Sequence, residues 1–119
     1  MRTLSEIPTV IIIDDDQFIV SSLKRVLDKL AITIKTFTNP LDALSFVTEL
    51  VNAPLLILSD QRMPNIEGCD LLKEIHKKHP STYKVILSSY QDFKKVSEGL
   101  QNKVIDKFPT QCVDKTIPE

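Results

Sequence analysis

Short, wholly apolar runs alternate along this chain with stretches whose apolar residues recur every three or four positions. Val10 to Ile13 is β-branched and runs into three aspartates, Asp14, Asp15 and Asp16. That is the pattern of a strand buried on both faces and ending at a polar rim. From Gln17 the period changes, and Ile19, Leu23, Val26, Leu27 and Leu30 form the stripe of an amphipathic helix, for which Asp16 is a suitable N-cap. Ile32 to Phe37 alternates as a second strand. Asn39-Pro40 restarts a helix with proline at its first position, where the missing N–H costs nothing, and Leu41, Leu44, Val47, Leu50 and Val51 make its expected inner face.

The alternation continues. Leu55 to Leu58 is a third apolar strand ending at Ser59-Asp60. A turn-rich segment from Gln61 to Gly68 follows, holding Pro64 and Asn65. Leu71, Leu72 and Ile75 mark a third helix that Pro80 closes. Val85 to Leu87 is a fourth strand, ending at Ser88-Ser89. Phe93, Val96 and Leu100 outline a fourth helix, and Val104, Ile105 and Phe108 a fifth strand. The tail from Gln111 to Glu119 is short and polar, so a closing helix is expected to be reduced or missing. Strands alternating with helices imply right-handed crossovers and a parallel sheet covered on both faces. The expected fold is therefore α/β: a doubly wound, five-stranded, flavodoxin-like sheet in the order 2-1-3-4-5.

Composition narrows the function. With 119 residues, 42% hydrophobic and 26% charged, the chain is sized for one ordered domain. Fifteen basic residues against sixteen acidic ones give a formal charge of −1, so direct binding to nucleic acid or to an anionic membrane is not expected. There are 2 glycines, Gly68 and Gly99, which removes both the Walker loop and the dinucleotide fingerprint. Cys69 and Cys112 are too few for a disulfide framework or a four-cysteine zinc site, and a reducing cytoplasm is the expected location. The longest apolar stretch, Ala53 to Leu58, is far below the roughly 18 residues of a membrane span. The amino end has no signal-peptide core, since Val10 to Ile13 leads straight into the aspartates.

The chemistry is expected where the strands end. In this topology the first and third strands are neighbours about 4.8 Å apart, and ligands bind beyond their carboxyl ends. Asp14, Asp15 and Asp16 stand at the end of one and Asp60 at the end of the other. A lone aspartate after a strand is ordinarily a turn former or a cap, and Asp16 is read as that cap. Asp14, Asp15 and Asp60 converge, and like charges held close must be relieved by protonation or by a cation. Magnesium suits such a site: it takes oxygen ligands, keeps waters, and combines one or two carboxylates with phosphate oxygens. The reading is phosphoryl transfer, with Asp60 as nucleophile and Asp14 and Asp15 holding the metal. Ser88, at the end of the neighbouring fourth strand, reaches the same rim with a hydroxyl.

Three segments carry a resemblance: Ile11 to Asp16, then Leu55 to Gly68 with its Asp-x-x-Met-Pro-x-x-x-Gly pattern from Asp60, then Val85 to Tyr90. In order and spacing, over nearly the whole chain, they resemble the receiver domain of two-component response regulators. The resemblance implies that Asp60 is the phosphoacceptor, served by a sensor histidine kinase or phosphotransfer protein, with Mg2+ held by Asp14, Asp15, Asp60 and the backbone carbonyl at Arg62. Ser88 matches the switch hydroxyl. Met63, Pro64 and Gly68 shape the adjoining loop. The family's lysine after the fifth strand is displaced: matching Ile105 to Phe108 makes Phe108 the switch aromatic and puts Gln111 at the lysine position, whereas the other register puts Lys107 there. The first preserves the length after Ser88 and keeps the aromatic. Residues 1–119 are expected to form one receiver domain, alone or as the N-terminal part of a larger protein, that signals to an output domain or downstream protein. No enzymatic activity is expected beyond self-catalysed transfer to and from Asp60, and a homodimer is left open.

Three other readings compete. In a pseudo-receiver the same fold would be an interaction module without phosphorylation; the displaced lysine favours this, and the acidic cluster opposes it. Asp14-x-Asp16 after a strand resembles the nucleophile motif of haloacid-dehalogenase-type phosphatases, but no later acidic pair is suitably placed and a cap domain would not fit. A flavodoxin would need a hydroxyl- and glycine-rich loop after the first strand. Elsewhere, His76 and His79 are expected on a solvated stretch beside Lys77 and Lys78, Cys69 is expected to pack at a helix start, and Phe46 and Phe93 are expected in the core.

Overall fold

A computed structural model describes residues 8–87. The order is β1 (Thr9–Ile13), α1 (Gln17–Leu27), β2 (Thr33–Phe37), α2 (Pro40–Glu49), β3 (Leu56–Asp60), α3 (Gly68–Lys78) and β4 (Tyr83–Leu87). The four strands form one parallel sheet in the order β2-β1-β3-β4. This is the doubly wound, flavodoxin-like arrangement expected from the alternation of segments. The expected fourth helix and fifth strand, and with them Ser88, Lys107, Phe108 and Gln111, lie outside the described residues.

Alternation along β1 sorts the core into two layers. Ile11 and Ile13 point to the side covered by α2 and α3, where they join Ala43, Val47, Ile57, Leu71, Leu72, Ile75 and Ile86. Val10 and Ile12 point to the other side and meet Val20 of α1, with Leu23, Leu27, Ile34, Leu56 and Leu58 packed around them. Each fully buried aliphatic side chain contributes roughly 1.5–3 kcal/mol of transfer free energy, so the unbroken run in β1 anchors both layers.

Two helix starts follow the local sequence. Asp16 Oδ1 accepts the Phe18 N–H at 2.9 Å, and Asn39 Oδ1 accepts the Leu41 N–H at 2.9 Å with Pro40 just inside. The expected inner faces are shorter than the periodicity suggested. Val26 and Leu30 are exposed on or beyond α1, and Leu41 and Val51 are exposed at the two ends of α2. Leu30 and Val51 lie beyond the helix ends, Val26 and Leu41 lie within the helices on their exposed sides, and Ala43 is buried in α2 instead.

His79 also corrects the solvated reading. It is buried, 4% exposed, and its Nε2 lies 3.0 Å from the Val47 carbonyl oxygen, where it ties the end of α3 to α2. Its lysine neighbours point outward, but the residue that caps α3 sits at the interhelical seam. Phe46 packs half-buried against Phe37, ring centroids 5.3 Å apart, and Cys69 packs against the core in the first turn of α3. Among the described residues, no helix is long and apolar enough to cross a membrane.

Candidate functional site

Strand register places the acidic tips. Ile13 pairs with Ser59 across β1 and β3, so Asp14 and Asp60, each the next residue, emerge side by side from the same edge of the sheet. Asp14, Asp15 and Asp60 each offer a carboxylate oxygen, and these oxygens lie within 4.8 Å of one another. Asp14 and Asp60 are buried, at 2% and 4% exposure, whereas Asp15 is exposed at the mouth.

Backbone groups hold the two buried carboxylates in place. Asp14 Oδ1 accepts the Asp16 N–H at 2.9 Å, and Asp60 Oδ1 accepts the Gln61 N–H at 2.9 Å. Asp16 itself turns away to cap α1, which separates the structural aspartate from the clustered ones. Bringing carboxylates this close costs electrostatic energy that a cation relieves. The donor set, hard oxygens from three aspartates, fits Mg2+ and is foreign to soft metals.

The loop after β3 is built to return the chain beneath the site. Met63 is buried in the α2–α3 layer and pins the loop inward. Asn65 adopts φ of 77°, the left-handed region that asparagine tolerates better than most residues. Gly68 then begins α3 directly against the Asp60 backbone: a Cβ there would fall well inside van der Waals contact of the Asp60 carbonyl oxygen. Arg62 lies in this loop, two residues beyond Asp60, with its side chain exposed.

Of the residues named from sequence, Asp14, Asp15 and Asp60 are thus brought together and Arg62 is exposed in the loop after β3, while Ser88, Phe108 and Gln111 are outside the described residues. Sequence reasoning passed over Gln61, which it took for a turn residue. Gln61 is wholly buried, and its Oε1 accepts the Cys69 N–H at 2.8 Å. The available signal was Glu67, a poor N-cap in front of Gly68, which left the start of α3 needing an acceptor from elsewhere.

Residues 10–116 match the response regulator receiver domain family. The chain belongs to that family. It is 37% identical over 100 residues to the transcriptional regulatory protein HptR of Staphylococcus aureus, covering 82% of this chain and 38% of HptR. To the DNA-binding transcriptional regulator NtrC of Escherichia coli it is 32% identical over 98 residues, covering 82% of this chain and 20% of NtrC. This receiver chain therefore spans two-fifths or less of the length of these relatives. In structure it is similar to a response regulator receiver domain protein from Clostridium thermocellum, with TM-score 0.80 and 22% identity, covering 94% of this chain and 85% of that one. That likeness is one of fold. Receiver domains of this family take part in two-component signalling, where aspartyl phosphorylation and Mg2+ are general features, and they are generally not enzymes.

Proposed function

We propose that this receiver accepts a phosphoryl group on Asp60 from the phosphohistidine of a sensor kinase or phosphotransfer protein. The observation that carries the reading is the clustering of the Asp14, Asp15 and Asp60 oxygens within 4.8 Å at the tips of two neighbouring strands. In the transfer, an Asp60 carboxylate oxygen forms a bond to phosphorus as the phosphorus–nitrogen bond to the donor imidazole breaks, and the imidazole leaves with the electron pair. Asp14, Asp15, Asp60 and the Arg62 main-chain carbonyl would hold the Mg2+, which when bound neutralises charge on the phosphoryl oxygens. The Gln61 N–H fixes the Asp60 carboxylate, so little reorientation is needed before attack.

Ser88 is assigned to the phosphoryl oxygens as a hydrogen-bond donor, Phe108 to the switch aromatic and Gln111 to the position where a lysine is usual. A neutral donor there would leave part of the phosphoryl charge uncompensated, so the switch would be weakened. Residues 1–119 act as one signalling unit in the cytoplasm that reports to an output domain or a downstream protein. Its own chemistry is limited to phosphoryl transfer to and from Asp60.

Beryllofluoride binding, followed by NMR with Mg2+ present, tests the assignment. Wild type is expected to show saturable shifts at Asp60 and its neighbours, extending to Ser88 and Phe108, and both D60N and D14N are expected to lose them. Unchanged wild-type spectra would leave the pseudo-receiver, an interaction module, as the reading to adopt.

A further inference from the structure

Gln61 spends three hydrogen-bonding groups on joining Asp60 to α3. Its N–H donates to Asp60 Oδ1 at 2.9 Å, its carbonyl accepts the Gly68 N–H at 2.9 Å, and its side-chain Oε1 accepts the Cys69 N–H at 2.8 Å. Glu67, the residue in the N-cap position, makes no side-chain capping bond. The start of α3 is therefore capped from the residue that follows the phosphoacceptor. Gly68 closes the same junction from the other side, with no room for a Cβ against the Asp60 carbonyl.

The side chain also carries a cost. Gln61 Nε2 is buried and has no hydrogen-bond partner. Burying an amide donor unsatisfied is unfavourable, and an apolar side chain of similar shape would remove that penalty together with the Oε1 bond. Methionine would lift the Nε2 penalty but take this acceptor away from the Cys69 N–H, so its two effects on stability oppose each other. Glutamine's distinctive contribution is the Oε1 bond, which makes the orientation of the residue 60 backbone depend on the position of α3.

We infer that Gln61 is a positioning residue for phosphoryl acceptance: its carboxamide locks the α3 N-terminus to the Asp60 peptide and so holds the attacking carboxylate in line. This inference rests on the reading of Asp60 as the phosphoacceptor. Geometry errors of about an ångström at a reacting group can cost on the order of a hundredfold in rate, so a partial loosening is expected to cost less. The test compares wild type, Q61M and Q61E with phosphoramidate at saturating Mg2+, following the phosphorylated fraction by intact-mass spectrometry. Q61M is expected to melt near the wild-type temperature and to bind Mg2+ with little change by calorimetry, yet to be phosphorylated about tenfold more slowly. Q61E presents an oxygen to the Cys69 N–H in either protonation state and is expected to recover most of the lost rate.

A wild-type rate in Q61M would overturn the inference, as would a Q61E protein as slow as Q61M. If wild type itself takes up no phosphoryl group, the phosphoacceptor reading fails first and this one with it. Should Q61M not fold, the wild-type protein decides. The Gly68 and Cys69 amide resonances are expected to shift when beryllofluoride and Mg2+ are added, and amides that stay still while Asp60 responds would overturn the coupling.

Discussion

Gly68 shows how tightly the site is constrained by a residue that carries no chemistry. A Cβ on it would fall so close to the Asp60 carbonyl that an alanine must displace either the strand tip or the first turn of α3. Gly68→Ala is expected to destabilise the fold by about 1–3 kcal/mol, the usual range for overpacking, even though alanine is the better helix former. Urea denaturation checks this, and a neutral or stabilising outcome would mean that the two backbones are free to move apart. The acidic residues were legible in the sequence because a carboxylate after an apolar strand has few places to go. Gln61 and His79 were not, because their partners, Cys69 and Val47, lie 8 and 32 residues away in sequence. A glutamine in a turn and a histidine beside lysines carry no local mark of burial; the packing of α3 on the sheet and on α2 determines it.

At the level of elements, the caps carried the most dependable signal. Asn39 both ends β2's exit and accepts the Leu41 N–H, with Pro40 fixing the first helical turn. Asn39→Ala is expected to lower stability by about 1 kcal/mol, measured by thermal or urea unfolding, while leaving the acidic cluster untouched. The strands were read from unbroken β-branched and leucine runs, and their ends fell within a residue or two of the expected ones. Where periodicity misled, it did so at helix ends. Leu30 and Val51 continue an apolar spacing past the helix ends, and Val26 and Leu41 sit in terminal turns on the side turned to solvent. Spacing alone records which residues share a stripe, but contact with the sheet depends on where the helix begins, tilts and stops. The parallel sheet followed from the βαβ alternation, and the order β2-β1-β3-β4 is that of the flavodoxin-like pattern which the number of strands and helices fitted.

For the whole molecule, the parallel sheet gathers charge at one edge and leaves the fold to bear the repulsion. Two buried carboxylates and a third at the mouth are held close together by the packed strands beneath them. Stability and cation binding are therefore linked: a metal that binds only the folded state raises the melting temperature as its concentration rises. Asp60→Asn removes one like charge, and in chelator it is expected to be more stable than wild type by about 1 kcal/mol. Added Mg2+ should then raise the wild-type melting temperature well above its chelator value and move the variant little. A D60N protein that Mg2+ stabilises as strongly as wild type would place the cation elsewhere.

Intact-mass spectrometry after incubation with acetyl phosphate and Mg2+ reaches the central claim in one step. Wild type is expected to gain one phosphoryl group, lost on brief alkaline treatment as an acyl phosphate is, and Asp60→Asn to gain none. Uptake by the variant at the wild-type level, or none by wild type, would contradict the assignment of Asp60.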